Sequence, residues 1–186
     1  ALMVERHGCA SAQALPLEKE KFLHLVAEIG KQVDRAAEII KNLRAFSRKS
    51  SLIKEKVDVN NAVRGVLSFL KHQIELQNIE FELSLKENLV ILAHDNRLQQ
   101  VFFNIITNAR DAIVERAKKA CGPYKGLIRI STFEREGRVV VRFEDNGVGI
   151  PDSARDKIFE PFYTTKEAGQ GMGLGLAITY GIVKDY

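Results

Sequence analysis

The chain has 186 residues, 45% hydrophobic and 28% charged, with a formal net charge of +4, which allows one core domain plus an appendage in a soluble globular protein. No apolar run approaches the roughly 20 residues of a membrane-spanning helix, and Ala1–Arg6 carries no basic-then-apolar secretion signal. Cys9 and Cys121 match no metal spacing and read as free thiols, while the basic residues are interleaved with acids and accompanied by no nucleic-acid recognition motif.

The opening on Ala1 rather than methionine reads as a piece of a longer protein. Leu2–Arg6 is expected to finish a helix that ends at Gly8. Phe22, Val26, Ile29, Val33, Ala36, Ile40 and Leu43 then recur in alternating steps of four and three, the seam of a coiled coil or helix bundle. This predicts a helix over Leu17–Phe46. One helix cannot bury that seam alone, so it either packs on its own domain or, the favoured reading, dimerises. Ser47–Ser51 breaks the pattern.

Val57–Val59 reads as a short strand, and Asn60 or Asn61 as the N-cap of a helix reaching about Gln77. Ile79–Leu85 alternates strictly, as a half-buried strand does. Leu89–Leu92 is a further short strand. Asp95 is expected to cap a long helix over about Asn96–Ala120, stopped by Cys121-Gly122-Pro123. Leu127–Phe133 and Arg138–Glu144, joined around Glu136-Gly137, form an antiparallel hairpin. Asn146–Gly173 is mostly loop, and a last helix begins near Leu174. The expected fold class is α+β: an α/β sandwich of a mixed sheet with helices on one face, preceded by the long helix of a dimerising hairpin or four-helix bundle.

Four segments carry chemistry. In the long helix, Leu98, Val101, Phe102, Ile105, Ala109, Ala112 and Ile113 form a core face, and Asn104, Asn108, Asp111 and Glu115 a polar stripe beside it. Asparagines are poor helix formers, but their amide oxygens suit a hard cation such as Mg²⁺; a merely solvated face is the alternative. Asp145-Asn146-Gly147-Val148-Gly149 follows a strand. Its carboxylate can accept a hydrogen bond from an exocyclic amine, and its glycines let backbone approach a flat ring; the alternative is a strand-ending turn. Phe159-Glu160-Pro161-Phe162 would anchor a segment whose Thr164, Thr165 and Lys166 could meet phosphate, unless it is an ordinary packed loop. Gly169–Leu176 opens a helix with backbone N–H groups suited to an anion. It is neither a P-loop nor a dinucleotide fingerprint, and a glycine linker is the bland alternative.

Together and in this order, the four segments resemble the ATP-binding catalytic domain of sensor histidine kinases, within the gyrase–chaperone–kinase–MutL superfamily. Asn104–Ala112 is similar to the N box, Asp145–Gly149 to the first glycine box, Phe159–Phe162 to the F box and Gly171–Gly175 to the second glycine box. The resemblance covers roughly Val57–Tyr186, and Gln32–Arg48 is similar to the second helix of the dimerisation and phosphotransfer hairpin. It implies domains at 1–50 (partial dimerisation region) and 51–186 (catalytic domain, short of its last strands), with ATP and Mg²⁺ as cofactors. Asn108, helped by Asn104, would hold the metal, and Asp145 the adenine amine. Gly147, Gly149, Ile150, Phe159, Asp111, Thr164, Thr165, Lys166, Gly171, Met172, Gly173, Leu174 and Gly175 would complete the nucleotide site, with 150–173 as a lid. Met172 departs from the pattern, because a hydroxyl residue is common there.

ATP hydrolases of that superfamily carry glutamate where this chain has Asn104. An asparagine cannot accept water's proton, so the resemblance implies phosphoryl transfer to a histidine and relay to a response regulator receiver domain. An anti-sigma-type serine kinase or a degenerate nucleotide-sensing module is the competing class; the heptad helix argues for the sensor kinase, since anti-sigma kinases lack it. No phosphoacceptor is assigned within the chain: of His7, His24, His72 and His94, only His94 has an acidic neighbour, and it lies inside the catalytic domain. The expectation is a cytoplasmic homodimer, with a parent that can be membrane-attached, in which this piece binds nucleotide without phosphorylating itself.

Overall fold

The computed structural model describes residues 19, 21–30, 33, 53–166 and 171–186. The chain divides into two compact units, Ala1–Ser47 and Arg48–Tyr186. In the first, residues 19, 21–30 and 33 are helical. Phe22, Val26, Ile29 and Val33 share one helix face and are exposed, at 65%, 48%, 61% and 61%. The remaining seam positions, Ala36, Ile40 and Leu43, and the break at Ser47–Ser51 lie outside the described residues, as does the expected helix before Gly8.

The second unit begins with β1 (Glu55–Asp58), α1 (Val59–Glu75), β2 (Ile79–Leu85), β3 (Val90–Ala93) and α2 (Asp95–Lys119). It continues through β4 (Gly126–Arg135), β5 (Arg138–Asp145), α3 (Asp152–Arg155) and α4 (Gly175–Lys184). β2 lies parallel to β4, and β4 antiparallel to β5, giving a mixed sheet of order β2-β4-β5. β1 and β3 pair separately and antiparallel. Strand alternation sets the layers. On β4, Ile128, Ile130 and Thr132 are buried on the helix side, where α2 packs. Arg129 between them faces outward and reaches Glu82 at 2.8 Å across the β2 pairing. The β4–β5 hairpin closes on Glu136 (φ 53°) and Gly137 (φ 71°), the pair of positive φ angles that a type I′ turn needs.

Two caps differ from expectation. The N-cap of α1 is Asp58, whose Oδ1 accepts from the N–H groups of Asn60 at 2.8 Å and Asn61 at 3.2 Å. A carboxylate just ahead of the first turn satisfies two orphan donors at once, which frees Asn60 to turn inward. α2 starts at Asp95 itself, after a His94 N-cap that makes no side-chain cap bond; Asp95 Oδ2 instead accepts from Gln99 Nε2 at 2.7 Å. α3 falls within the stretch expected as loop. The core-facing register of α2 follows the expected positions except that Ile106, at 0% exposure, is buried, while Ile105 and Ala112 are only half-buried.

The buried polar exception ties the layers together. Asn60, 3% exposed, donates from Nδ2 to the Lys86 carbonyl at 2.7 Å and accepts from Thr132 Oγ1 at 2.9 Å. Thr132 Oγ1 in turn accepts the Lys86 N–H at 3.1 Å. Asn60→Ala would strand these groups without partners, so the second unit is expected to lose about 1–3 kcal/mol of unfolding free energy. Chemical denaturation checks this, and a loss of only a few tenths would show that the network contributes little.

Candidate functional site

α2 has 25 residues. Its inner face is buried through Leu98, Val101, Phe102, Ile106, Ala109 and Ile113, and its half-buried flank carries Asn104, Asn108 and Asp111. Three distant segments attach to successive turns of this flank. Asn104 Nδ2 donates to the Gly175 carbonyl at 3.1 Å and to Thr179 Oγ1 at 3.3 Å, fastening the start of α4. Lys166 Nζ reaches Asp111 Oδ2 at 2.5 Å and Asn108 Oδ1 at 3.4 Å. Val148 N–H donates to the Ala112 carbonyl at 3.1 Å, docking the turn after β5. From residue 104 to 112 an α-helix rises about 12 Å, so the attachments are spread along one edge.

The Asp145 turn is shaped by contact. Asp145 Oδ1 accepts the Gly147 N–H at 2.8 Å, an Asx turn that leaves the other carboxylate oxygen for a ligand. A Cβ at Gly147 would stand 2.6 Å from Ala112 Cβ and 2.7 Å from the Ala112 carbonyl carbon. Only glycine lets the turn come this close to α2. Gly149 has φ +74° and open space around it.

The second glycine segment is equally constrained. Gly173 has φ +65°, and a Cβ there would lie 2.4 Å from the Phe162 carbonyl carbon and the Tyr163 oxygen. Its carbonyl accepts the Phe162 N–H at 3.0 Å. Phe159 meets Tyr180 of α4 with ring centroids 5.3 Å apart and ring planes tilted by 39°, but Phe159 is 45% and Phe162 75% exposed, so the pair of phenylalanines does not bury into the core as expected. Thr164 Oγ1 accepts the Lys166 N–H at 3.2 Å, and Gly171 lies beside both side chains. Met172 and Leu174 are half-buried, and Ile150, Thr164 and Thr165 are exposed. Gly169 and Gln170 lie outside the described residues.

Some residues play parts that no spacing rule indicated. Arg110 donates from Nε and Nη2 to Asp111 Oδ1, at 2.8 and 2.6 Å, so Asp111 stands between two cations. Arg116 and Tyr124 hold the carbonyls of the Asp145 turn. A lone arginine on a charged helix face gives no signal of such a role. Glu115, on the same expected stripe, instead pairs with Lys119 at 2.6 Å. His94 is buried, with Nδ1 3.0 Å from the Tyr186 hydroxyl; His24 and His72 are exposed, and His7 lies outside the described residues. A groove of about 300 Å³ between α1 and β2, lined by Leu67, Lys71, Glu75, Glu80, Phe81 and Leu83, includes none of the motif residues.

A family model described as histidine kinase-, DNA gyrase B-, and HSP90-like ATPase matches residues 93–186, more than half of the chain. The chain belongs to this ATPase family. Among its relatives, the sensor kinase CckA of Brucella abortus is 33% identical over 166 residues, 86% of this chain and 18% of CckA. The C4-dicarboxylate transport sensor protein DctB of Pseudomonas aeruginosa is 32% identical over 158 residues, 84% of this chain and 25% of DctB. The chain thus spans a quarter or less of the length of these curated relatives. The catalytic domain of the histidine kinase ThkA has the same fold, with a TM-score of 0.60 at 32% identity over 71% of this chain and 80% of that one. Full-length ShkA, solved in complex with AMPPNP, also shares the fold, with a TM-score of 0.66 at 24% identity over 90% of this chain and 34% of that one. The α+β class and mixed sheet expected from the sequence are those of the histidine kinase members of this ATPase family. Among the described residues no helix is long and apolar enough to cross a membrane.

The contact at Gly147 gives the sharpest structural test in this part of the ATPase-family chain. Gly147→Ala places a methyl group against backbone that cannot step aside, and is expected to cost about 1–3 kcal/mol, as overpacking does, with faster amide exchange at 145–149. Thermal or chemical unfolding checks this. An unchanged midpoint would mean that the turn does not approach α2 so closely.

Proposed function

We propose that this chain is the ATP-binding catalytic part of a two-component sensor histidine kinase, binding Mg·ATP along the outer flank of α2. The observation that carries the reading is the convergence of three sequence-distant segments on Asn104, Asn108–Asp111 and Ala112. Each segment presents a different chemistry: backbone N–H groups at the start of α4, a lysine, and a carboxylate turn. In order along α2 these would suit phosphates, a further phosphate oxygen and a base.

In this reading Asp145 accepts a hydrogen bond from the adenine amine, with Gly147, Gly149 and Ile150 along the ring. Gly171, Met172, Gly173, Leu174 and Gly175 surround the triphosphate, and Thr164 and Thr165 border it. The amide oxygens of Asn108 and, directly or through water, Asn104 would hold the metal. The Lys166 ammonium at 2.5 Å from Asp111 and 3.4 Å from Asn108 supports this, since the oxygens there already accommodate a cation. Asn104 commits its amide nitrogen to Gly175 and Thr179, so its oxygen is the atom left for a ligand. Mg²⁺ would supply charge neutralisation at the phosphates when bound. Lys166 would exchange its contacts on α2 for a phosphate oxygen, which keeps a positive charge beside the stripe in either state.

The reaction proposed is transfer of the γ-phosphoryl group to a histidine nitrogen: the bond from phosphorus to the bridging oxygen of ADP breaks as the phosphorus–nitrogen bond forms. An asparagine at position 104 cannot take a proton from water as a carboxylate there would, so the residues act by positioning and by charge. The acceptor histidine is proposed to lie outside this chain, and the phosphoryl group to pass to a response regulator receiver domain. Residues 1–50 are assigned to a dimerisation region and 51–186 to the catalytic domain. The exposed seam Phe22, Val26, Ile29 and Val33 supports homodimerisation through the N-terminal helix, because apolar residues at that spacing favour a partner helix. A cytoplasmic location fits both proposed partners.

Calorimetry with ADP tests the reading directly. Asp145→Asn is expected to weaken ADP binding by about 1–3 kcal/mol, the scale of a hydrogen bond to a charged group; unchanged affinity would remove Asp145 from the base site. Adding Mg²⁺ is expected to tighten ADP binding to the unaltered chain, and Asn108→Ala to abolish that gain while ADP still binds without metal. A gain that survives Asn108→Ala would place the metal elsewhere.

A further inference from the structure

The Asp145 turn is not held by its own backbone alone. Its two carbonyls, at Asn146 and Gly147, accept from a single nitrogen of α2, Arg116 Nη1, at 3.0 and 3.1 Å. The Tyr124 hydroxyl donates to the same Asn146 carbonyl. The guanidinium lies 5.5 Å from the Tyr124 ring centroid, within the range in which cation and ring attract. Asn146 closes the arrangement with its side chain: Oδ1 accepts the Leu127 N–H at 2.8 Å, and Nδ2 donates to the Lys125 carbonyl at 3.1 Å. Arg116 makes no ion pair among the described residues, although the chain has acidic residues on neighbouring turns. Its hydrogen bonds go to these carbonyls.

The consequence follows from the planarity of one peptide. The Asn146 carbonyl and the Gly147 N–H are opposite ends of the same rigid unit. Arg116 and Tyr124 hold its oxygen end, while its N–H end donates to Asp145 Oδ1 at 2.8 Å. Turning this peptide would take the N–H away from the carboxylate, and Asp145, which is otherwise exposed, would lose its fixed orientation. Holding the carbonyl end therefore fixes the N–H to which one Asp145 oxygen is bound, and with it the direction in which the other points.

We propose that Arg116, with Tyr124, is a positioning residue for base selection: through the Asn146–Gly147 peptide it aims the free Asp145 oxygen at a purine bearing an exocyclic amine. This rests on the nucleotide reading above and adds the residue that sets its specificity. A carboxylate aimed at one point attracts an amine and repels a carbonyl there, whereas one free to rotate discriminates less.

The test is the binding of ADP, GDP and inorganic tripolyphosphate to the whole chain, measured by calorimetry for the unaltered protein, Arg116→Ala, Arg116→Lys and Tyr124→Phe. Arg116→Ala is expected to lower the preference for ADP over GDP by about tenfold, the effect of losing one charge-assisted hydrogen bond, with tripolyphosphate binding unchanged. Arg116→Lys should recover part of the preference, because an ammonium can still donate to one carbonyl. Tyr124→Phe should give a smaller loss in the same direction. A full ADP preference in Arg116→Ala, whatever happens to its melting temperature, would overturn the proposal and leave Arg116 a structural residue. Failure of the unaltered chain to bind ADP at all would instead overturn the nucleotide reading on which it rests.

Discussion

The burial of one face of α2 is the constraint on which the rest of the site depends. Leu98, Val101, Phe102, Ile106, Ala109 and Ile113 seat the helix against α1, β4 and β5, and the 3.6-residue period then leaves Asn104, Asn108 and Asp111 no choice of direction. Because the helix is rigid and packed, anything fastened to its flank inherits its register. Three loops that would otherwise have wide conformational freedom are thereby placed along a single edge.

Electrostatics works on top of that geometry. Asp111 receives Arg110 on one oxygen and Lys166 on the other, at side-chain exposures of 32% for Asp111 and 31% for Lys166. Such half-exposed pairs contribute little to stability. Their interest lies in position: the Lys166 ammonium is held where oxygen ligands face a proposed cation. The same logic applies at the other end of the edge, where the Arg116 cation is spent on carbonyls rather than on a carboxylate.

Much of the architecture was legible from patterning. The strict alternation of Ile79–Leu85 marks β2 to the residue, because a half-exposed strand must alternate. The apolar period and the Gly-Pro stop located α2 within a residue at either end. Caps were harder, since Asp58, Asn60 and Asn61 are all competent capping residues and only the entry of the backbone into the helix at Val59, with Asp58 extended and accepting from Asn60 and Asn61, decides among them. The pairing of β1 with β3, apart from the main sheet, has no local signature either. For the site, residue types with a chemical signature (asparagines within a helix, a carboxylate after a strand, clustered glycines) stood out. Arg110, Arg116 and Tyr124 did not, because their importance comes from which carbonyl or carboxylate lies opposite them.

By itself the amino-acid order determined the longer elements, though not the short α3, along with the mixed α+β class and the set of chemically suggestive segments, since periodicity, turn chemistry and glycine content act over a few neighbouring residues. Tertiary structure alone decided which atoms of those segments meet. It committed Asn104's nitrogen to Gly175, brought Lys166 onto Asp111, and pressed Gly147 against Ala112. Those contacts join residues separated by 35 to 71 positions, and only the close packing of the whole unit can choose among the many partners that chain length permits.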